Sequence, residues 1–413
     1  MAKIDDSLKK KVPELRFKGF TDDWEERKLG ELSNIVGGGT PSTSNSEYWD
    51  GDIDWYAPAE IGEQRYVSKS KKTITELGLK KSSARILPVG TVLFTSRAGI
   101  GNTAILGKEA TTNQGFQSIV PNPNKLDSYF IYSRTNELKR YGEVTGAGST
   151  FVEVSGKQMS KMSIMIPELS EQKKIGSFFE QLDNTIALHQ RKLDLLKEQK
   201  KGYLQKMFPK NGAKVPELRF AGFADDWEER KLGELGKVTT GKAFSSIDFD
   251  EQGEYLVITN KDISNSSRSQ NVITDRINIS DKDIVEKYNL SGENILVTMD
   301  GVNLGKTAMY SNEDALLAQR VGRIQSTQLE FIYQITSSSS FLMAMRTLSV
   351  GNAIKHISLT QISNYSTLVP SNKNEQQKIG SFFKQLDDTI ALHQRKLDLL
   401  KEQKKGFLQK MFV

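Results

Sequence analysis

Mostly apolar residues recur along two long stretches of the chain at alternating steps of three and four positions. The seam residues are Phe179, Leu182, Ile186, His189, Leu193 and Leu196 in the first stretch, and Phe383, Leu386, Ile390, His393, Leu397 and Leu400 in the second. Glu, Gln, Lys, Arg and Asp fill most of the positions between them. A 3.5-residue period of this kind is that of a coiled-coil seam. We therefore predict one long helix over residues 171–208 and another over 375–413.

The two predicted helices are expected to pair with each other. A narrow apolar seam on an otherwise polar helix needs a partner, and the nearest helix with the same seam is the other copy. A whole segment of chain separates the two, so an antiparallel pairing is open to them. Polar seam positions are occupied by His189, His393, Lys200 and Lys404, which are expected to set the register and not to carry chemistry. The alternative is that each helix packs on its own globular domain.

The helices are parts of a duplicated unit. Residues 12–32 return at 215–235 with two substitutions, and residues 171–208 return at 375–412 with four. Such a repeat indicates a pseudo-twofold architecture. It divides the chain into a leader with a first domain (1–170), a central helix (171–208), a second leader with a second domain (209–374) and a C-terminal helix (375–413).

The segments between the repeats differ from each other and are expected to form domains with sheets. Short β-like runs occur at 91–94 and 117–120 in the first domain, and at 255–259, 294–298 and 307–310 in the second, among Gly, Asn, Asp and Ser. The fold class predicted is α+β, with two tandem α/β domains separated by the two long helices.

One weak echo connects the two domains. The segment VLFTSRAGIGNTAIL at 92–106 resembles ILVTMDGVNLGKTAMY at 295–310, so that Gly101 corresponds to Gly305 and Thr103 to Thr307. The two domains are therefore expected to share a fold although their surfaces have diverged.

Composition adds modest limits. Lys and Arg number 57 against 51 Asp and Glu, which gives a net charge of +6 and a slight preference for polyanions. The absence of cysteine excludes disulfides and thiol chemistry. No apolar run approaches the roughly 18 residues of a membrane span, and the N-terminus lacks an apolar signal region. A cytoplasmic location without a membrane partner is expected.

Candidate catalytic motifs fail on inspection. The three histidines include the two seam positions and a solitary His356, which is too few for a histidine metal cluster or a triad. GVNLGKT at 301–307 has three residues where a phosphate loop has four between its glycines. The glycines at 37–39 lack the context of a nucleotide fold. The chain is expected to be non-catalytic, with no metal site.

Nearly identical repeated segments around two different domains suggest one scaffold that presents two different binding domains. The duplicated DDWEERKLGEL leaders, the segment GGGTPSTSNSEYWDGDIDWYAPAEI at 37–61 and the twin helices that begin EQKKIGSFF and EQQKIGSFF resemble the DNA-specificity subunit of type I restriction-modification systems. The resemblance implies two target-recognition domains, each of which reads one half of a bipartite duplex DNA target. It also implies an antiparallel helix pair that sets the spacing of the half-sites, so that methylation and restriction by partner subunits are directed to the target.

The resemblance further implies partners. These are two methyltransferase subunits that dock on the repeated regions, and motor-nuclease subunits that cleave unmodified DNA in phage defence. S-adenosylmethionine, ATP and magnesium would belong to those partners, and no cofactor to this chain. The alternative hypothesis is a non-enzymatic tandem ligand-binding scaffold on a coiled-coil spacer.

Side-chain chemistry indicates candidate DNA-contacting residues, because Arg pairs bidentately with guanine, Asn or Gln with adenine, and Ser or Thr with phosphate or either base. The candidates are Thr40, Ser42, Ser44, Asn45, Arg65, Arg97, Asn102, Asn113 and Gln114 in the first domain, and Lys242, Asn260, Lys261, Arg268, Asn303, Lys306, Gln319, Arg320 and Arg323 in the second. For any one of them, ordinary surface solvation is the alternative. The tryptophans Trp24, Trp227 and Trp55, with Tyr56, are expected to be core residues.

Overall fold

The computed structural model describes residues 11–97, 99–146, 153–210, 212–263, 274–351 and 355–413. The chain forms two compact units. Unit 1 consists of Met1–Leu188 and Leu397–Val413, and unit 2 consists of His189–Lys396. Each unit therefore holds one domain and a segment of each long helix.

Unit 1 is a mixed α/β structure. Its strands are β1 (Glu25–Lys28), β2 (Ser33–Gly37), β3 (Trp49–Tyr56), β4 (Tyr66–Val67), β5 (Lys72–Ile74), β6 (Val92–Phe94), β7 (Thr103–Leu106), β8 (Thr111–Thr112), β9 (Gln117–Pro121) and β10 (Ser163–Ile166). Its helices are α1 (Leu29–Leu32), α2 (Glu76–Lys80), α3 (Ser128–Ser133), α4 (Thr135–Gly146), α5 (Gly156–Ser160) and the first part of α6 (Leu169–Met207). The described strands form a five-stranded sheet in the order β2-β9-β6-β7-β4, a three-stranded sheet β5-β3-β8, and the pair β1-β10.

Unit 2 has a related arrangement around one larger sheet. Its strands are β11 (Glu228–Lys231), β12 (Lys237–Thr240), β13 (Tyr255–Ile258), β14 (Arg276–Ile277), β15 (Asn289–Thr298), β16 (Thr307–Leu317), β17 (Val321–Gln325) and β18 (Ser366–Val369). Its helices are α7 (Leu232–Leu235), α8 (Lys282–Tyr288), α9 (Leu329–Thr336), α10 (Ser339–Leu348), α11 (Leu359–Ser363) and most of α12 (Lys373–Lys410). The described strands form a sheet in the order β12-β17-β15-β16-β13-β14, and the pair β11-β18 matches β1-β10 of unit 1.

The duplicated tryptophans anchor the two cores. Trp24 is 2% exposed and its ring lies 5.9 Å from that of Phe130, while Trp227 is 1% exposed and lies 6.2 Å from Phe331. Burial of such large side chains supplies much of the apolar area that stabilises each unit. Trp55 and Tyr56 are also buried, so the prediction that all four are core residues is confirmed.

The two long helices run antiparallel to each other within each unit. In unit 1, Phe178 of α6 contacts Phe407 of α12 at 5.1 Å between ring centroids, and Asp183 pairs with Lys404. In unit 2, Tyr203 contacts Phe382 at 5.1 Å, and Lys200 pairs with Asp387. Position numbers that rise on one helix while they fall on the other are the mark of an antiparallel pair.

The predicted seam residues are all buried or half-buried, whereas leucines outside the seam, such as Leu188 and Leu392, are 64% and 63% exposed. The alternative of packing on the domain is also present in part, because Phe179 belongs to the core cluster of Trp24, and Phe383 to that of Trp227. Each helix therefore pairs with the other and closes its own domain.

Glycines on the helices allow this close approach to the domains. A Cβ at Gly176 would lie 3.1 Å from the amide nitrogen of Phe130 on α3, and one at Gly380 would lie 2.8 Å from the amide nitrogen of Phe331 on α9. This repeated contact identifies the helix face that meets the domain in both units.

Candidate functional site

Glycines draw two chain segments together at the same place in both units. A Cβ on Gly38 would lie 2.0 Å from the carbonyl oxygen of Asn113, and a Cβ on Gly241 would lie 2.0 Å from that of Leu317. No side chain fits in such a space, so glycine is required for close backbone approach. The next residue in each unit then donates its amide to the partner strand, Gly39 to Thr112 at 2.8 Å and Lys242 to Leu317 at 3.0 Å.

A hairpin loop held by one threonine is also common to both units. In unit 1 the hydroxyl of Thr95 donates to the carbonyl of Gly99 at 2.7 Å and accepts from the amide of Asn102 at 2.9 Å. In unit 2 the hydroxyl of Thr298 accepts from the amide of Lys306 at 3.0 Å and donates to the carbonyl of Asn303. This shared loop is the physical basis of the weak sequence echo between 92–106 and 295–310.

Positive φ angles explain the glycines of that echo. Gly101 has φ +95° and Gly305 has φ +81°, in the left-handed region that favours glycine. Each also faces a helix, since a Cβ would meet Lys139 of α4 at 2.4 Å or Met345 of α10 at 3.1 Å. The GVNLGKT segment is therefore a hairpin loop on a helix and does not have the form of a phosphate loop.

A 3₁₀ turn completes the shared geometry. The amide of Ala57 donates to Glu60 at 2.8 Å, and the amide of Thr259 donates to Asp262 at 2.8 Å. Together with the glycine turns and the hairpin loops, these turns form what we call the loop frame: residues 38–40, 58–60, 95–97, 99–102 and 113–115 in unit 1, and 241–243, 260–262, 298–306 and 318–320 in unit 2.

Backbone bonds hold the segments of the loop frame together. The amide of Ser96 donates to Gly115 at 2.8 Å, and that of Asn113 donates to Tyr56 at 2.9 Å. The corresponding bonds in unit 2 run from Met299 to Arg320 at 3.0 Å and from Ala318 to Ile258 at 3.0 Å. Main-chain contacts thus fix the same frame in both units.

Several predicted residues of unit 1 meet on this frame. The side-chain amide of Asn113 donates to the hydroxyl of Thr40 at 3.1 Å, and that hydroxyl donates to Gln114. Arg97 lies beside Gly115 and forms a half-exposed ion pair of 3.8 Å with Glu153. Asn102 is exposed on the hairpin loop. The arrangement offers amide and guanidinium donors on one surface.

Ser42, Ser44 and Asn45 lie on a neighbouring turn. The hydroxyls of Ser42 and Ser44 are 2.8 Å apart, and Asn45 accepts from the amide of Glu47 at 3.0 Å. The indole of Trp49 donates to the carbonyl of Ser42 at 3.1 Å and packs on Trp55. Sequence reasoning missed Trp49, whose only signal was its position after the hydroxyl-rich loop.

Unit 2 brings together a different set of side chains on its frame. The side-chain amide of Asn260 donates to Asp300, and that of Asn303 donates to the carbonyl of Asn260 at 3.4 Å. The backbone amide of Gln319 donates to the backbone carbonyl of Lys242 at 2.8 Å. Lys261 is exposed on the 3₁₀ turn, and Lys306 is half-buried on the hairpin loop. Asp300, which the sequence did not single out, occupies the position that Arg97 has in unit 1. Each residue forms an isolated antiparallel β-bridge, Asp300 with His356 and Arg97 with Glu153.

Arg320 stands out on this frame because it is exposed and has φ +67°. A non-glycine residue in the left-handed region carries strain of order 1 kcal/mol or more. Arg320 lies in the turn between β16 and β17, and its exposed side chain makes it a residue to test for a role in binding.

Two predicted arginines are bound inside their units and do not join the frame. The guanidinium of Arg323 is 8% exposed and donates to Thr239, Asn289 and Lys287 at 3.0–3.2 Å, and burial lowers its pKa. Arg65 donates to Tyr129 at 3.1 Å and to Asn184 on α6 at 2.8 Å. Their donors are satisfied by the protein, so both side chains hold the fold together. Arg268 lies outside the described residues.

No group of three or more His, Cys, Asp or Glu side chains suited to a metal occurs in the described ranges. Among the helices of those ranges, none combines the length and apolar character needed to cross a membrane.

Comparisons with known proteins agree on one family. Residues 21–198 and 224–402 each match the type I restriction modification DNA specificity domain. The chain is 34% identical to the type I restriction enzyme MjaIX specificity subunit of Methanocaldococcus jannaschii over 53% of each chain. It is 22% identical to the MjaVIII specificity subunit of the same organism over 94% of this chain and 91% of the relative.

The alignment covers 53% of the length of the MjaIX specificity subunit and 43% of the length of the type I restriction enzyme EcoR124I/EcoR124II specificity subunit of Escherichia coli, so the chain spans about half the length of these two curated relatives. Among solved structures, the type I restriction-modification S subunit from M. genitalium has a TM-score of 0.65 at 14% identity, over 97% of this chain and 99% of that one. At this identity the likeness concerns the fold alone.

Proposed function

This chain belongs to the type I restriction-modification DNA-specificity family, and from that premise we propose that it is the DNA sequence-specificity subunit of such a complex. Each domain binds one half of a bipartite duplex target through its loop frame. The paired helices set the spacing between the half-sites. The chain itself carries out no catalysis and directs partner subunits to methylate or cleave.

The observation that carries this proposal is one loop frame with two different sets of side chains. The glycine turn at Gly38 or Gly241 and the hairpin loop at Thr95 or Thr298 have the same hydrogen bonds in both units. The side chains that they present differ, with Arg97 in unit 1 where unit 2 has Asp300. A constant frame with variable donors and acceptors is suited to the reading of base edges, which requires a different pattern for each sequence.

We propose the same partners that the family resemblance implies. They are two methyltransferase subunits and motor-nuclease subunits, which hold S-adenosylmethionine, ATP and magnesium, and the complex acts on DNA in the cytoplasm. The tandem ligand-binding scaffold is not favoured, because both halves of the chain match a DNA specificity domain.

Exchange of the first domain tests the proposal. Residues 33–170 are replaced by the corresponding domain of another specificity protein, and methylation-sensitive sequencing is performed on a host that carries the complete system. The expected result is a change in one half of the methylated sequence, with the other half and the gap retained. A change in both halves, or in the gap, would contradict the assignment of one half-site to each domain.

A further inference from the structure

Two of the four substitutions between the helix copies lie close together on the helix. Residues 171–208 and 375–412 differ at Lys173/Gln377, Glu180/Lys384, Asn184/Asp388 and Tyr203/Phe407. Position 180 follows Gly176 by one turn, and position 384 follows Gly380 by one turn, so both lie on the face that meets the domain. The duplication therefore supplies an internal comparison of the same helix against two different domains.

In unit 1 this face meets hydrogen-bond donors. The hydroxyl of Tyr66 on β4 donates to Glu180 at 2.7 Å, and the guanidinium of Arg65 donates to the side-chain oxygen of Asn184 at 2.8 Å. Arg65 also lies 3.5 Å from the carbonyl oxygen of Glu180. The helix accepts these hydrogen bonds with an acidic and an amide side chain.

In unit 2 the same face meets carboxylates. Lys384 lies 2.9 Å from Glu330 at the start of α9 and 3.2 Å from Glu293 on β15. Glu330 stands where unit 1 has Tyr129, since these residues precede Phe331 and Phe130, which pack on Gly380 and Gly176. The ammonium group of the helix thus pairs with two carboxylates of the domain.

The residues at positions 180 and 384 cannot be exchanged without placing like charges side by side. A lysine at position 180 would lie beside the guanidinium of Arg65, and a glutamate at position 384 would lie beside Glu330 and Glu293. Like charges at such separations repel, and the acceptor for Tyr66 would also be lost.

We propose that positions 180 and 384, with Asn184 as a second contact in unit 1, form a matching surface through which each helix accepts the domain of its own copy. This surface positions the domain on the helix and does not touch the bound ligand. The inference is independent of what the domains bind. Its practical content is that a foreign domain fits this scaffold well only when the residues at these positions are exchanged with it.

One of the other two substitutions provides a matched control. Tyr203 and Phe407 make the same edge contact, with Phe382 and Phe178, at 5.1 Å. Exchange at these two positions should change nothing in the fit of the domains. Lys173 does not serve as a control, because its charge interacts with the Asp127 carboxylate of the first domain.

Point variants of the full chain give the first test, by thermal unfolding at low salt. Glu180→Lys and Lys384→Glu should each lower the melting temperature by roughly 2–4 °C. Glu180→Gln keeps an acceptor for Tyr66 and should lose less. Lys384→Glu combined with Glu330→Lys restores opposite charges and should recover most of the loss. Tyr203→Phe should leave the melting temperature unchanged.

A chimera gives the second test. Residues 236–374 are replaced by 33–170, so that both copies carry the first domain, and the chimera is made with the native second helix or with Lys384→Glu and Asp388→Asn. The matched chimera should melt higher than the mismatched one. Equal melting of the two chimeras would overturn the proposal, as would a loss from Tyr203→Phe as large as that from Glu180→Lys. If neither chimera folds, the double variant Lys384→Glu with Glu330→Lys provides the test. Failure of that variant to recover the melting temperature would contradict the proposal.

Discussion

The Nζ atom of Lys404 lies 2.6 Å from Oδ1 of Asp183 in unit 1, and Lys200 and Asp387 form the same ion pair at 2.6 Å in unit 2. The side chains of the two aspartates are only 8% and 11% exposed. Asp183 also accepts the hydroxyl of Tyr129 at 2.8 Å, and this bond is absent from unit 2, where Glu330 replaces the tyrosine. A lysine on one helix that meets a buried aspartate on the other allows a single antiparallel register in each unit.

Removal of this lysine should destabilise unit 1. Lys404→Met leaves the buried Asp183 carboxylate with the hydroxyl of Tyr129 and the charge of Arg65 but without its ion-pair partner, so we expect the free energy of unfolding to fall by roughly 1–3 kcal/mol. Urea denaturation measures the change. Asp183→Asn and the double variant complete a mutant cycle, in which the double variant should lose less than the sum of the single losses. Additive losses would mean that the two side chains act independently.

Helix glycines offer a test in which the same substitution has opposite signs. Gly202→Ala should raise the free energy of unfolding by about 0.5–1 kcal/mol, because nothing lies within 4 Å of its Cβ and alanine is the better helix former. Gly176→Ala should lower it by about 1–3 kcal/mol, because the new Cβ would lie 2.4 Å from Asp127 Oδ1. Denaturation of the two variants side by side measures both. A gain from Gly176→Ala would show that α3 is not held close to the helix.

The histidine pair on the seam should make stability depend on pH. The Nδ1 atoms of His189 and His393 are 3.4 Å apart in unit 2. Desolvation, then Lys396 and His393, lower the pKa of His189. A base with a lowered pKa in the folded state binds more protons when unfolded, so the stability present above the unfolded pKa of about 6.5 is lost as pH falls below it.

Denaturation midpoints between pH 8 and pH 5 measure this effect. His189→Asn with His393→Asn should flatten the decline, while His356→Asn, which alters a histidine outside the seam, should not. An unchanged slope in the double variant would place the titrating group elsewhere.

Substitution of Arg320 should affect stability and DNA binding in opposite directions. Arg320→Gly relieves the left-handed backbone at φ +67° and is expected to keep or raise the free energy of unfolding. The same change removes an exposed cation, and it should weaken DNA binding by the assembled complex by about 1–3 kcal/mol. Fluorescence anisotropy with a target duplex measures the binding.

Arg323→Met is the matched control for Arg320→Gly. Because Arg323 is buried and donates to Asn289 and Lys287, its loss should reduce stability first. Full DNA affinity in Arg320→Gly would remove Arg320 from the proposed interface.

The period of the sequence was sufficient to predict the helices but not the acidic residues that Lys200 and Lys404 meet on the opposite helix. The seam from Phe179 to Leu196 follows from a local rule, and α6 covers Leu169–Met207 as expected for residues 171–208. The partner of Asp183 depends on a residue more than two hundred positions away, which no local rule supplies. A polar residue next to a seam position, repeated as Asp387 in the second copy, was the available signal.

Selection of candidates by residue type found several side chains that meet on the loop frame, but it gave no information on burial. Asn113 and Thr40 meet because Gly38 brings their segments together. Arg65 and Arg323 have the same chemistry as Arg97 and Arg320, yet contacts distant in sequence occupy their donors. The DNA-binding role of every candidate stays a prediction.

The threonine-held hairpin loop separates the residues that build the domain from those it displays. Thr95 and Thr298 hold their loops through main-chain atoms and one hydroxyl, so an exposed side chain on such a loop, as at position 102, can be replaced at small folding cost. A randomised library at such positions should therefore yield many well-folded members with new binding preferences. The same property would let a lineage acquire new targets through few mutations, without passing through unfolded intermediates.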